Sequence, residues 1–124
     1  MPVNRRDLIQ LASMIEERSA ALREEIHREV SRGRDEPYAA VAGATHDSGD
    51  EALADLVADL GNAEVTRDLG ELRELEAARR RIADGSYGVC ADCGAEIPLE
   101  RLRAQPGAAR CAACQTRHEK TYRS

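Results

Sequence analysis

Apolar residues recur at helical spacing in the first quarter of the chain. They follow one another at intervals of 3, 4, 7, 4 and 4 residues, with charged residues between them: Leu8, Leu11, Ile15, Leu22, Ile26 and Val30. One apolar stripe at this period is typical of an amphipathic helix that packs one face against a partner. The pattern predicts a helix from about Arg5 to Arg32, ended by Gly33 and Pro37.

A second helical pattern covers residues 48–84. Residues 48–51 read Ser-Gly-Asp-Glu and fit a capping box, while Gly85 is a suitable stop. The apolar positions form two stripes, and the phase slips by about one residue between them: Leu53, Leu56, Val57 and Leu60, then Leu69, Leu72, Leu75 and Ile82. We expect one continuous helix with a local bend at Gly61-Asn62, because glycine lowers helix propensity.

The two helices have similar lengths and a short connector, which favours an antiparallel hairpin. The connector contains Pro37 and Gly43, neither of which suits the interior of a helix. The predicted fold is therefore mostly α, a long two-helix coiled-coil hairpin followed by a small four-cysteine module with a short C-terminal helix. We assign residues 1–84 to the hairpin, with its tip at about 36–48, and residues 85–124 to the module.

Composition and charge limit the classes of function that the chain can have. The chain has no Trp or Phe and three Tyr, and 33% of its residues are charged, which suits long helices better than a sheet. Residues 85–124 carry six Lys/Arg against four Asp/Glu, within a chain of net charge -5, so we expect no direct sequence-specific DNA binding. No apolar run is long enough for a bilayer, and no secretory signal opens the chain, so we expect no membrane partner and a cytoplasmic location.

The four cysteines form the strongest motif. They are spaced as two Cys-x-x-Cys pairs with 17 residues between the pairs: Cys90, Cys93, Cys111 and Cys114. This spacing predicts one structural zinc ion with four thiolate ligands. Iron in the same site and a redox role for either pair are weaker alternatives, since no βαβ pattern surrounds the pairs.

Residues around the cysteines support the zinc site. Gly88 and Gly94 permit tight turns beside the first pair, and a helix over Gln115–Tyr122 is expected after the second. Arg110 and Arg117 are expected to offset part of the thiolate charge. The three histidines are interpreted as surface residues rather than ligands: His27, His46 and His118.

The sequence around the cysteines resembles the DksA/TraR family of bacterial transcription regulators. The shared anchors are Cys90-Ala-Asp-Cys93-Gly94, Ile97, Arg101-Leu102, Ala104, Pro106, Cys111 and Cys114, preceded by Asp84-Gly85-Ser86-Tyr87-Gly88. Members of this family carry a helical hairpin on a zinc-finger module, in agreement with the periodicity. In this chain the module is residues 85–124, which we call the finger. The resemblance implies a non-enzymatic, monomeric regulator whose partner is RNA polymerase and whose hairpin enters the secondary channel.

A second motif of this family lies at the predicted hairpin tip. DksA-like members carry Asp-x-x-Asp-x-Ala there, and residues 47–52 of this chain fit it with Asp47, Asp50 and Ala52. The resemblance places the two aspartates near the polymerase active centre and makes Arg67 a further polymerase contact. The same acidic residues also suit the first turn of any helix, because its free N–H groups attract carboxylates.

The chain departs from the family where guanosine tetraphosphate is bound. Relatives that respond to this alarmone use basic side chains, but the matching positions here are Glu74, Gln105 and Gln115. We therefore expect weak or no alarmone binding. Two other functions stay open: a zinc-finger nucleic-acid-binding module with a coiled-coil arm, and an accessory factor for transcript cleavage whose tip acids hold a second Mg²⁺.

Overall fold

The structure is a computed structural model that describes residues 3–32 and 63–122. Within these ranges the chain is mostly helical, and the extended pairing consists of one isolated antiparallel bridge between Val89 and Glu96. The helices are α1 (Arg5–Arg32), α2 (Ala63–Asp84), α3 (Leu99–Ala104) and α4 (Ala112–Tyr122). The predicted fold class, helices with a four-cysteine module, is confirmed. None of the described helices combines the length and apolar character needed to cross a membrane.

Helix α1 has the bounds that the apolar pattern predicts. Asn4 caps its start, since the backbone N–H of Asp7 donates to Asn4 Oδ1 at 2.9 Å. The predicted stripe is the buried face of the helix, with every member after Leu8 buried: Leu11, Ile15, Leu22, Ile26 and Val30. The seven-residue interval in the stripe contains Ser19, which is also fully buried.

His27 corrects one prediction. The sequence predicts a surface residue at this position, but the side chain is only 6% exposed. His27 directly follows Ile26 in α1, and the buried face of a packed helix spans more than a single line of residues. The face that α1 buries is therefore wider than its apolar stripe.

Helix α2 is described from Ala63 to its predicted end at Asp84. The predicted start near Ser48 and the expected bend at Gly61-Asn62 lie outside the described residues. Its valine and three leucines are buried, Ile82 is half-buried, and Ala78 is the buried one among its alanines: Val65, Leu69, Leu72, Leu75 and Ala78. The predicted stripe omits Val65 and Ala78. Gly85 follows the helix with φ +86°, a conformation that glycine adopts without strain, so the predicted stop is confirmed.

Contacts divide the chain into two compact units. The finger unit combines Met1–Glu16 with Glu74–Ser124, and the helix-pair unit is Glu17–Arg73. The predicted boundary between residues 84 and 85 stays a prediction of domain organisation.

Within the helix-pair unit, α1 and α2 run in opposite directions. Arg18 donates two hydrogen bonds to Glu71, at 2.7 and 2.9 Å. Further along α1, the carboxylate of Glu25 acts electrostatically on Asp68, which precedes Glu71 in α2. A later residue of α1 therefore faces an earlier residue of α2, which is the antiparallel order.

Within the finger unit, ion pairs join α1 to α2 and to α3. Arg79 of α2 lies 2.7 Å from a carboxylate oxygen of Glu16 in α1, and Arg103 of α3 lies 3.2 Å from Asp7. These pairs are partly exposed, so each adds little to the free energy of unfolding. Buried apolar side chains supply the core of the unit: Val3, Leu11, Ile15, Leu75, Ala78, Tyr87, Ile97 and Leu102.

Candidate metal centre

The first cysteine pair lies in a tight loop. Gly88 and Gly94 flank the pair with φ of +88° and +75°. The N–H of Cys90 donates to Ala95 O at 2.8 Å, and the N–H of Gly94 donates back to Cys90 O at 3.0 Å. A side chain at either glycine would strain this backbone, so the predicted need for permissive residues is confirmed.

The second pair lies at the start of α4. This helix begins at Ala112, three residues before its predicted start, so Cys114 lies in its first turn. Cys111 immediately precedes the helix, and its carbonyl accepts the N–H of Gln115 at 2.9 Å. Residues three positions apart on a helix share a face, which brings Cys111 and Cys114 together.

All four sulfur atoms meet in one cluster. The Sγ atoms of Cys90, Cys93, Cys111 and Cys114 lie within 4.8 Å of one another, and no disulfide links them. The Cys93 and Cys111 sulfurs are 3.9 Å apart. Zn–S bonds of about 2.3 Å in a tetrahedron place sulfurs about 3.8 Å apart, so the cluster fits one zinc ion. Because the protein fills all four positions, the site is a structural one.

Backbone donors and burial act unequally on the thiols. Burial raises the pKa of the Cys90 thiol. Hydrogen bonds from the backbone N–H groups of Cys93, Cys111 and Asp92 lower it by more, so that the pKa of Cys90 is about 6. The pKa of the Cys114 thiol is raised to about 12. The larger cause is its hydrogen bond with Cys111, and the next is burial. Zinc supplies the positive charge that allows all four groups to be thiolates together.

Two arginines surround the cluster. Arg117 donates from a terminal guanidinium nitrogen to Cys114 Sγ at 3.5 Å, as the sequence predicts. Arg110 instead donates to a carboxylate oxygen of Asp92 at 2.9 Å. Both arginines line a groove of about 360 Å³ on the finger, together with Asp92, Cys93, Cys114, His118 and Thr121.

Two residues whose role the sequence does not predict, Tyr87 and Arg81, hold the finger on α2. Tyr87 is fully buried, and its hydroxyl donates to Pro106 O at 2.8 Å; burial raises the pKa of this phenol to about 12. A terminal nitrogen of Arg81 lies 3.5 and 3.4 Å from the carbonyl oxygens of Gly107 and Ala108. Helix α2 therefore binds the backbone of the loop that precedes the second cysteine pair.

Gly107 shows how closely this loop approaches α2. A Cβ atom at Gly107 would lie 3.3 Å from both the carbonyl carbon and the Cβ of Glu74, and 3.4 Å from Leu75 N. These distances are shorter than comfortable van der Waals contacts. Pro106-Gly107 is a turn signal in the sequence, but it carries no information about which helix the turn contacts.

The short helix α3 was also missed. It buries Leu102 and is preceded by the buried Ile97. Arg101 of α3 donates to Arg110 O at 3.0 Å, so this helix supports the segment that leads to Cys111. Six residues are too few for a periodic pattern, so the sequence does not predict this helix.

The remaining predicted site residues are separated from the metal cluster in sequence. Asp47, Asp50 and Ala52 lie outside the described residues. Arg67 is exposed on α2, in the helix-pair unit. Of the three positions compared with alarmone-binding relatives, Glu74 and Gln105 are exposed, and Gln115 donates to Glu119 at 2.9 Å.

The sequence of the finger matches a known family of zinc fingers. Residues 85–120 match the family model described as the prokaryotic dksA/traR C4-type zinc finger. Over 52 residues, 42% of this chain and 37% of the relative, the chain is 42% identical to the RNA polymerase-binding transcription factor DksA of Caulobacter vibrioides. The chain spans about two fifths of the length of the curated relatives that it matches at 42% identity.

A weaker similarity extends over nearly the whole chain. Over 114 residues, 92% of this chain and 72% of the relative, the chain is 28% identical to the RNA polymerase-binding transcription factor DksA of Escherichia coli K12. The fold is similar to the solved structure of transcription factor DksA2 from Pseudomonas aeruginosa. That likeness has a TM-score of 0.60 at 24% sequence identity and covers 98% of this chain and 89% of the other.

Proposed function

Because residues 85–120 match the dksA/traR C4-type zinc finger and most of the chain is similar to a polymerase-binding factor, we propose that the chain is a DksA/TraR-type protein that binds RNA polymerase and regulates transcription. The observation that carries the proposal is the 114-residue similarity to a polymerase-binding factor. An alignment over 92% of the chain includes helical segments as well as the finger, so it concerns more than a shared metal site. The proposed location is the cytoplasm, where bacterial RNA polymerase works.

The proposed regulator is not an enzyme. Its zinc ion has four protein ligands and therefore no open position at which a substrate or an activated water molecule binds. Regulation would come from contacts with polymerase that change the stability of initiation complexes. We propose a monomer as the active species.

The proposed contacts with polymerase begin at residues 47–52. The resemblance to the Asp-x-x-Asp-x-Ala motif supports insertion of this segment into the secondary channel, with Asp47 and Asp50 close to the active centre. Ala52 is small and allows close approach. Arg67, exposed on α2, is proposed as a further contact.

Regulation by guanosine tetraphosphate is not part of the proposal. A polyphosphate needs Lys or Arg donors, and Glu74, Gln105 and Gln115 offer one carboxylate and two amides. The carboxylate repels phosphate oxygens, and the amides carry no charge to attract them. Weak or absent binding of this alarmone stays a prediction.

The test separates binding from regulation. We expect the zinc-loaded protein to co-elute with core RNA polymerase and to be displaced by a known secondary-channel factor. Asp50→Asn removes the charge at nearly constant shape, so it should abolish regulation in transcription assays while polymerase binding is largely kept. Glu64→Gln, which removes an exposed acidic charge at the start of the described part of α2, is the matched control and should regulate normally.

Each alternative has its own outcome. Full regulation by Asp50→Asn would exclude the proposed role of the acidic segment. Salt-sensitive DNA binding without polymerase would favour the nucleic-acid-binding module. Shortening of transcripts in stalled complexes would favour the cleavage factor.

A further inference from the structure

The contact between Arg117 and Cys114 has consequences for the metal. Helix α4 places residue 117 almost one turn beyond residue 114, and a terminal guanidinium nitrogen lies 3.5 Å from the sulfur. Cys114 is only 3% exposed. Zinc with four thiolates carries a net charge of roughly -2, and burying such a charge is unfavourable unless nearby donors stabilise it.

The donors around the site are of two kinds. At Cys90 the backbone N–H groups of Cys93, Cys111 and Asp92 lower the pKa of the thiol, and the backbone provides these groups whatever the side chains. Cys114 receives a charged donor from a side chain. A hydrogen bond from a charged group is stronger than one from a neutral group, but substitution removes it.

Arg110 lies in the same groove as Arg117 but has a different hydrogen-bond partner. Its guanidinium also lies beside the cluster, but its Nε donates to the carboxylate of Asp92 at 2.9 Å. The positive charge of Arg110 is thus offset by Asp92, while that of Arg117 is directed at a zinc ligand. The two arginines should affect the metal unequally.

We propose that Arg117 retains the zinc ion by stabilising the Cys114 thiolate, and so slows release of zinc through the groove. The guanidinium is a positioning group that acts on the metal through its ligand. This role concerns the metal site alone, so it stands or falls independently of polymerase binding.

Zinc release to a chelator tests the proposal. The full chain is loaded with one equivalent of zinc, and release is followed after adding an excess of the neutral pyridine chelator TPEN. We expect Arg117→Met, which keeps an unbranched side chain but removes the charge, to release zinc about 3- to 10-fold faster than the wild type. That range lies below the roughly 10- to 100-fold effect that is typical for groups supporting metal ligands, because Arg117 is exposed.

Two further variants identify the cause. Arg117→Lys keeps the charge and should release zinc within about twofold of the wild-type rate. Arg110 lines the same groove, and Arg110→Met should also release zinc within about twofold of the wild-type rate. The difference between wild type and Arg117→Met should shrink when salt is raised from about 50 mM to about 500 mM, because salt screens charges at exposed sites.

An anionic chelator separates retention from attraction. If Arg117 merely guided anions into the groove, Arg117→Met would release zinc more slowly to EDTA and at the wild-type rate to TPEN, which would overturn the proposal. Equal acceleration in Arg110→Met, or no rescue by lysine, would also overturn it. Should Arg117→Met lose its zinc during purification, Arg117→Gln, which keeps N–H donors without charge, replaces it and should also release zinc faster than the wild type. Far-UV circular dichroism before chelation verifies that each variant is folded.

Discussion

Charges between α1 and α2 in the helix-pair unit are unevenly balanced. Hydrogen bonding to Arg18 lowers the pKa of Glu71, so this carboxylate favours the folded state. The pKa of Asp68 is raised above its usual value, chiefly by burial and then by the negative charges of Glu25 and Glu71. Asp68 is thus an acidic group whose charged form opposes folding.

Asp68→Asn should stabilise the protein at neutral pH. A carboxyl whose pKa is raised in the folded state costs nothing at a pH below its unfolded value of 3.8, where it is protonated in both states. The cost grows as the pH rises towards the folded-state pKa and is complete above it. We expect a gain of about 0.5 kcal/mol at pH 7, the size of a like-charge pair on a helix, and no gain near pH 3.

Thermal unfolding of the zinc-loaded protein at several pH values measures this difference. Glu17→Gln removes an exposed charge from α1 and should change the melting temperature little. An equal gain from Asp68→Asn at both ends of the pH range would mean that charge is not the cause.

At the scale of the elements, the finger loop packs on α2 through backbone as much as through side chains. Arg81 and Tyr87 bind carbonyl groups of residues 106–108, and Gly107 allows the two backbones to approach. Side-chain and backbone contacts at one place make the loop and the helix end a single structural element.

Gly107→Ala should weaken that contact. Its Cβ would lie 3.3 Å from the backbone of Glu74, which is fixed within a helix and moves little, so we expect a loss of about 1–2 kcal/mol. Gly70→Ala is the matched control. It lies inside α2 with no atom within 4 Å of an added Cβ, and it should stabilise the protein by about 0.5–1 kcal/mol.

Denaturant unfolding of both glycine variants gives the two free energies. Wild-type stability in Gly107→Ala would show that the loop moves away from α2 without cost.

The elements differ in how far the sequence predicts them. Helix α1 was predicted to the residue, because 28 residues with one apolar stripe and a glycine after the end leave few alternatives. Helix α3 has six residues and no side-chain cap, so neither periodicity nor capping marks it. The cysteine spacing predicts the metal ligands, since the chemistry of zinc requires them.

Residues that attach the finger to α2 were beyond sequence reasoning. Tyr87 lies in the motif that carries the family resemblance, and Arg81 is one of several arginines in a helix rich in them. Their roles depend on which loop faces which helix, and that is decided by tertiary packing. His27 was misjudged for the same reason, because its burial depends on the width of the packed face.

At the scale of the whole molecule, zinc should decide the order of the finger but not of every helix. The finger has a small apolar core and few periodic elements, and structural zinc sites commonly supply much of the folding free energy of such modules. The helix-pair unit buries its own apolar residues without metal ligands: Leu22, Ile26, Val30, Val65, Leu69 and Leu72.

Removal of zinc should therefore expose the finger to trypsin. We expect chelation to bring rapid cleavage after Arg101, Arg103 and Arg110, while sites after Arg18 and Arg28 in α1 stay slow. Mass spectrometry of the early fragments measures both. Added zinc should restore protection and added magnesium should not, because thiolates bind magnesium poorly. An unchanged fragment pattern after complete zinc removal would contradict this role.

The finger unit joins residues that the ribosome makes far apart in time. Asp7 and Arg103 form an ion pair across 96 positions, and the first sixteen residues share a compact unit with residues 74–124. The early turns of α1, with Leu11 and Ile15 on their apolar face, stay without the rest of this unit until residues 74–124 are synthesised. Any truncated product of translation that stops short of the finger would display these residues to chaperones and proteases.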